Sequence, residues 1–172
     1  MNRFTRLSST GQLTWLAVLL ALQLIFNRIK IGPTNVFQVG LGFIVTAIIG
    51  YYYGPAKSML TGLASDVLGH ILFPAPGGFF WGFTLSAILA GLIYGSLLYR
   101  QTITWWRLLL ATSLVVILIQ LGLNTTWVSI LSHLDWWPLF WVRSVKELIS
   151  IPIQTGVLIL IFHWLKLHNY SN

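Results

Sequence analysis

Long apolar runs constrain the fold of this chain more than any other feature of its sequence. Six runs are separated by short polar or turn-forming stretches, and they cover residues 11–28, 35–53, 56–73, 79–99, 104–132 and 138–166. As helices rising about 1.5 Å per residue, they span or nearly span a hydrocarbon core of about 30 Å. Because 56% of the 172 residues are hydrophobic and 8% are charged, a water-soluble domain could not cover them. The sequence predicts an all-α integral membrane protein, in which residues 1–172 form a single bundle of six transmembrane helices.

The distribution of basic residues predicts the orientation of these helices. With six spans both termini lie on one side of the lipid bilayer, and that side would hold Arg3, Arg6, Lys57, Arg100, Arg107 and Lys166. The opposite loops would hold only Arg28 and Lys30. By the positive-inside rule we therefore expect a multi-pass protein with both termini in the cytoplasm. The net charge of +7 is too dispersed to indicate a nucleic-acid partner.

Several classes of chemistry are excluded by what the sequence lacks. There is no cysteine, so disulfides, thiolate metal sites and cysteine nucleophiles are absent. Asp66 and His70 share a helical face, but no third or fourth ligand has suitable spacing, so we expect no metal. No nucleophile motif, paired carboxylates or phosphate-binding loop occurs. We expect a non-catalytic protein without a cofactor.

Three charged side chains interrupt the last apolar run. Arg143, Lys146 and Glu147 lie within five positions of a chain that has only three acidic residues. Charges at this depth are energetically unfavourable and generally serve binding or pairing. Arg143 and Glu147, four residues apart, could neutralise each other, leaving Lys146 to be partnered by an anionic ligand. The stripe that continues through Ser150 and Gln154 is expected to face the interior of the bundle.

Other polar side chains in the apolar runs suggest a hydrogen-bonding site. Gln120, Asn124 and Trp127 share a helical face, and the sequence around Gly122 favours a local break. Asp66 could accept hydrogen bonds from a ligand or pair with an intramembrane cation. Buried amides, a carboxylate and aromatic rings suit a planar heterocycle. The alternative is that these groups hold the helices together through interhelical hydrogen bonds.

Residues at the outer ends of the runs could complete such a site. Phe80 and Trp81 are expected near the outer interface, either as belt residues or as walls for a ligand. Arg28 stands on the side that topology disfavours for cations. It could therefore serve a ligand, or it could simply extend its side chain to the membrane surface.

Small residues recur at intervals of four in two of the runs. Ala87 and Gly91 are expected to let helices pack closely within the bundle. Ala17 and Ala21 form an Ala-x-x-x-Ala pattern that could present a small face to another membrane protein.

The combined motifs resemble the folate-specific substrate-binding (S) components of energy-coupling factor (ECF) vitamin transporters over nearly the whole chain. They are Ala-x-x-x-Ala at 17–21, Asp66-Val67-Leu68-Gly69, Gly82-Phe83-Thr84-Leu85-Ser86-Ala87, Leu123-Asn124-Thr125-Thr126-Trp127 and Arg143-Ser144-Val145-Lys146. Two positions depart from the family pattern: Val142 stands where Pro is usual, and Glu147 where Asn is usual.

The resemblance implies a protein of the bacterial plasma membrane that captures folate from outside and delivers it to the cytoplasm. Its partners would be a shared transmembrane coupling subunit, which Ala17 and Ala21 would face, and two ATP-binding subunits that hydrolyse ATP. The alternatives are an S component for another vitamin, such as a pterin or a thiamine precursor, a stand-alone secondary carrier, or a structural membrane protein. A carrier would be expected to show an inverted repeat, and none is apparent.

The expected substrate-binding residues are Arg28, Asp66, Phe80, Trp81, Gln120, Asn124, Trp127, Arg143 and Lys146. Asp66 or Asn124 would contact the edge of the pteridine ring. Arg143 and Lys146 would bind an anionic or carbonyl group. Arg28, Lys30 or the loop at residues 32–35 would help to close the entrance.

Overall fold

A computed structural model describes residues 9–31, 39–74 and 78–170 of the chain. Their regular secondary structure is helical except for one short antiparallel pair of two-residue strands, in which Lys30 pairs with Gly40 and Ile31 with Val39. In chain order the elements are α1 (Ser9–Phe26), β1 (Lys30–Ile31), β2 (Val39–Gly40), α2 (Gly42–Leu72), α3 (Trp81–Leu98), α4 (Trp105–Leu114), a π-helix (Val115–Leu123), α5 (Asn124–Ser132) and α6 (Trp136–Tyr170).

Part of the helical structure has the length and composition of membrane spans, as predicted. Within the described residues, three stretches are long and apolar enough to cross a bilayer: Trp81–Leu98, Trp105–Ser132 and Trp136–Lys166. A shorter apolar helix covers Thr10–Phe26. The predicted count of six separate helices is not what the structure describes, because the runs at 35–53 and 56–73 join in the single element α2.

A kink at Gly54 stands where the sequence predicted a loop between two helices. Gly54 has φ 83° and ψ −179°, a conformation open to glycine but strained for other residues. Pro55 follows, and its missing N–H interrupts the helical hydrogen bonds. The ring of Tyr99 packs against the kink, where a Cβ on Gly54 would lie 3.2 Å from ring atom Cδ2. One residue therefore changes the chain direction without a loop.

Helices α2 and α3 pack against each other more extensively than any other described pair. A Cβ on Gly62 would lie 2.5 Å from the carbonyl oxygen of Ala87, and a Cβ on Gly91 would overlap the backbone of Ser58. Glycine at these positions lets the two backbones approach closely. The packing role predicted for Ala87 and Gly91 of α3 is confirmed.

Enlarging Gly91 is expected to destabilise the bundle. Gly91→Ala places a methyl group against the Ser58 backbone, and such overpacking costs about 1–3 kcal/mol. Gly156→Ala is the matched control, since a Cβ there meets nothing within 4 Å, and replacing a helix-interior glycine stabilises by roughly 0.5–1 kcal/mol. Thermal unfolding in one detergent compares the two variants. Equal shifts in melting temperature would contradict the close packing of α2 and α3.

The apolar core consists of two clusters of buried residues. Its main cluster joins α2, α3, α4, the π-helix and α6 near the 99–104 connection, through Ala47, Tyr94, Leu98, Leu108, Ala111, Val115, Leu158 and Phe162. A second cluster, built on Val45 and Ile49 of α2, contacts α1. A cavity lies beside the main cluster and shares Tyr94 and Val115 with it.

Candidate ligand-binding site

A cavity of about 450 Å³ lies inside the bundle, lined by residues of α1, both ends of α2, α3, the π-helix and the start of α5. Small-molecule sites typically measure roughly 300–1,000 Å³. Four of the predicted site residues line it, from three stretches of the chain: Arg28, Asp66, Gln120 and Asn124. The fold thus brings together polar side chains that are up to about a hundred positions apart in the sequence.

Asp66 is held in place by the neighbouring helix. The Thr84 hydroxyl on α3 donates a hydrogen bond of 2.7 Å to Oδ2 of Asp66 on α2. An ionised carboxylate offers about four acceptor positions, so this bond orients the group and leaves acceptor capacity for a ligand. His70, one turn further along α2, also lines the cavity. No group of three potential metal ligands occurs among the described residues.

Two buried side-chain oxygens on the lining residues have no hydrogen-bond partner in the described part of the chain. They are Gln23 Oε1 and Asn124 Oδ1. Gln23 is fixed because its Nε2 donates 3.0 Å to Thr46 Oγ1. A buried polar group left unpaired costs about 1–3 kcal/mol, so a hydrogen bond from a ligand to either oxygen would be favourable.

The sequence reasoning missed Gln23 and Tyr94. Gln23 carried a signal, since it is a lone amide within the otherwise apolar second half of α1. Tyr94 carried none, because a tyrosine in an apolar helix is common in membrane proteins.

The π-helix determines which side chains face the cavity. Val115 and Gln120 are five residues apart, as are Ile119 and Asn124, and all four line the cavity. Five residues of an α-helix turn about 140° past a full circle, whereas i→i+5 bonding in a π-helix brings such pairs onto one face. The Asn124 N–H accordingly bonds to the Ile119 carbonyl, five residues back. The local break expected near Gly122 is this π-helical segment.

Two predicted aromatic residues stand beside the cavity, and a third points away. Trp127 Nε1 donates 3.1 Å to Oγ of Ser86, a lining residue, and its ring centroid lies 5.7 Å from that of Phe80. Trp127 therefore contacts a residue that lines the cavity and Phe80 packs against Trp127, but neither ring lines the cavity itself. Trp81 is 70% exposed and contacts Phe79 edge-on, so it belongs to the outer surface of the bundle.

Arg28 joins the ends of α1 and α2 at the rim of the cavity. Its Nη2 donates 2.8 Å to the carbonyl of Gly69 and 3.1 Å to that of Phe73, and its guanidinium lies 4.4 Å above the Phe73 ring. A cation at these carbonyls suits the negative end of a helix. The loop at 32–35 and the side chain of Lys30, both expected at the entrance, lie outside the described residues.

Arg143 and Lys146 do not line this cavity. Lys146 Nζ lies 3.6 Å from Glu147 Oε1, and Arg143 Nη2 lies 3.4 Å from the carbonyl oxygen of Gln120. Lys146 therefore makes the close ion pair with Glu147, whereas Arg143 attracts Glu147 at longer range and places its guanidinium next to the π-helix. The predicted burial of the stripe is confirmed: Glu147, Ser150 and Gln154 are 1–2% exposed.

Ala17 and Ala21 lie on the outer surface of α1. Both are exposed, whereas Gln23 on the opposite side of the helix is 4% exposed. The small face therefore does not serve helix packing within the described bundle.

Comparisons with known proteins agree with this architecture. The family model of the ECF transporter substrate-specific component matches residues 11–162. The chain is 38% identical over 154 residues to the folate transporter FolT of Leuconostoc mesenteroides subsp. mesenteroides, over 86% of this chain and 82% of that protein. It is also 38% identical over 144 residues to FolT of Clostridium novyi, over 84% of this chain and 83% of that protein.

A solved structure shows the same fold. The crystal structure of FolT bound with folic acid matches with a TM-score of 0.81 and 33% identity, over 89% of this chain and 93% of that one. The resemblance found in the sequence motifs is confirmed by these matches. The chain belongs to the family of substrate-specific components of ECF transporters.

Proposed function

We propose that this protein is the folate-binding subunit of an ECF transporter in a bacterial plasma membrane. It captures folate from outside and delivers it to the cytoplasm together with a shared transmembrane coupling subunit and two ATP-binding subunits. The protein itself is non-catalytic, and its partners hydrolyse ATP. The proposal is supported by the two relatives that are folate transporters and by the structural neighbour that holds folic acid.

The chemistry of the cavity is the observation that carries this proposal. Folate combines a planar, donor-rich pteridine with an aryl linker and an anionic glutamate. Asp66 and the unpartnered oxygens of Gln23 and Asn124 are acceptors for the N–H groups of the pteridine. Tyr94 OH, at the boundary between the cavity and the core, can bond to either a donor or an acceptor.

The position of Arg28 supports an orientation of the ligand. Arg28 contacts Gly69 and Phe73, which lie one and two turns beyond Asp66 along α2 toward the 73–80 connection. We infer that the pteridine lies inward near Asp66 and Tyr94 and that the glutamate lies outward near Arg28. Phe80 and Trp127 back the wall, whereas Trp81 contributes from the outer surface only.

We also propose that the chain crosses the membrane six times. The kink at Gly54 divides α2 into segments at 42–53 and 55–72, about 18 and 27 Å long, and we assign one crossing to each. The shorter span is shielded from lipid by its neighbours, since Val45, Ala47 and Ile49 are at most 2% exposed. Six spans place both termini on one side, and the excess of Lys and Arg on that side makes it the cytoplasm.

Mass spectrometry of the small molecule that co-purifies with the protein in detergent tests the proposed ligand. We expect a folate, since a tightly bound ligand survives purification. Recovery of a different vitamin would contradict the folate assignment, although the transporter family would stand. Cells grown without folate provide the control, in which the same species should be depleted.

A further inference from the structure

We propose that Arg143 is a positioning residue, which holds the π-helix (Val115–Leu123) in the register that presents Gln120 and Asn124 to the ligand. Arg143 would thereby set the affinity for the heterocyclic end of the ligand without touching the ligand. This inference rests on the proposed function for the identity of the ligand. The contact between Arg143 and the π-helix is observed in the structure whatever the ligand is.

The π-helical register needs support from outside the segment. Runs of i→i+5 bonding are rare and usually last a single turn, whereas this one extends over nine residues. A return to α-helical bonding would turn Gln120 about 140° away from Val115. The two amides would then leave the cavity wall, so the site depends on whatever keeps the π-helix in place.

Arg143 contacts the π-helix without lining the cavity. Its Nη2 lies 3.4 Å from the Gln120 carbonyl oxygen, and Arg143 is not among the residues that line the cavity. This distance is longer than that of a short charge-assisted hydrogen bond, so the guanidinium acts on the carbonyl oxygen mainly through its positive charge. Since Lys146 is paired with Glu147, the guanidinium is the cation that α6 directs to this carbonyl.

A second tether from α6 acts two residues further along the π-helix. Trp136 Nε1 donates 3.3 Å to Thr126 Oγ1, and the same hydroxyl donates 3.1 Å to the carbonyl of Gly122. Helix α6 thus engages the carbonyls of Gln120 and Gly122, directly through Arg143 and indirectly through Trp136. Both contacts lie on the last turns of the π-helix, next to Asn124.

The test compares two ligands that share the pteridine and differ in charge. Folate carries the glutamate, and pteroate lacks it. If Arg143 positions Gln120 and Asn124, Arg143→Gln should weaken both ligands by the same factor, about tenfold for loss of a charged hydrogen bond. If Arg143 instead bound the glutamate, folate would weaken and pteroate would not, and the proposal would be overturned. Arg107→Gln, at an exposed arginine of α4, is the matched control and should leave both affinities unchanged.

Two further measurements keep the test decisive. Arg143→Lys keeps a charged donor, so it should lose less affinity than Arg143→Gln. If the glutamine variant does not fold, the affinities for folate and pteroate are compared in the lysine variant instead. Hydrogen exchange, which needs no ligand, should rise at residues 115–123 in the folded variant and stay unchanged at residues 81–98. Unchanged exchange at 115–123 overturns the proposal. Failure of the unaltered protein to bind either ligand overturns the folate assignment instead, and hydrogen exchange then decides the role of Arg143.

Discussion

Asp66→Asn is expected to weaken folate binding by about 10- to 150-fold, because hydrogen bonds to charged groups contribute about 1.5–3 kcal/mol. Asparagine has nearly the same size and can still accept the Thr84 hydrogen bond, which is 2.7 Å long in the unaltered protein. It replaces one carboxylate oxygen with an N–H₂ donor, however, and in the proposed binding mode this donor would face the N–H groups of the pteridine. The loss therefore reports on recognition rather than on folding.

Isothermal titration of the purified variant with folate measures this loss. Asp135→Asn is the matched control, since Asp135 is exposed in the connection between α5 and α6 and should not affect affinity. Equal folate affinities for Asp66→Asn and the unaltered protein would show that Asp66 does not contact the ligand.

Ala17→Trp is expected to abolish most folate uptake while leaving folate binding intact. Ala17 and Ala21 are exposed on α1, and small residues four apart allow another helix to approach closely. An indole ring at this position would hold the coupling subunit away. The cavity would not be disturbed, because Gln23 projects from the opposite side of the same helix.

Uptake by cells and titration of the purified variant separate these two effects. Val18→Trp is the matched control, because Val18 is 44% exposed on an adjacent stripe and receives the same enlargement. We expect a much lower uptake rate for Ala17→Trp than for Val18→Trp, because the larger side chain blocks the close helix approach that small residues allow. Equal uptake by both variants would place the coupling subunit on another surface.

The helices were predictable because a bilayer leaves the backbone few alternatives. The connection at Gly54 and Pro55 was harder to predict, since the same two residues suit a loop or a kink. A single left-handed glycine proved sufficient, and no separate loop formed. The π-helix was not predictable, because the apolar residues from Val115 to Ile119 fit α-helical and π-helical hydrogen bonding equally well. Its register depends on a contact from Arg143, which is distant in the sequence.

Part of the candidate site could be predicted from the sequence for one physical reason. Polar side chains in an apolar run are unfavourable unless they are partnered, and this marked Asp66, Gln120 and Asn124. The same logic could have found Gln23. It could not decide which cation pairs with Glu147, since both Arg143 and Lys146 are within reach of it on α6, and only the position of the π-helix separates their roles.

The most direct test of the account is a titration of the ligand-free protein with folate. The cavity and its acceptors predict saturable binding of one folate per protein, competed by pteroate and not by thiamine. Absence of folate binding under conditions in which the protein remains folded, or tight binding of thiamine at the same site, would contradict the account.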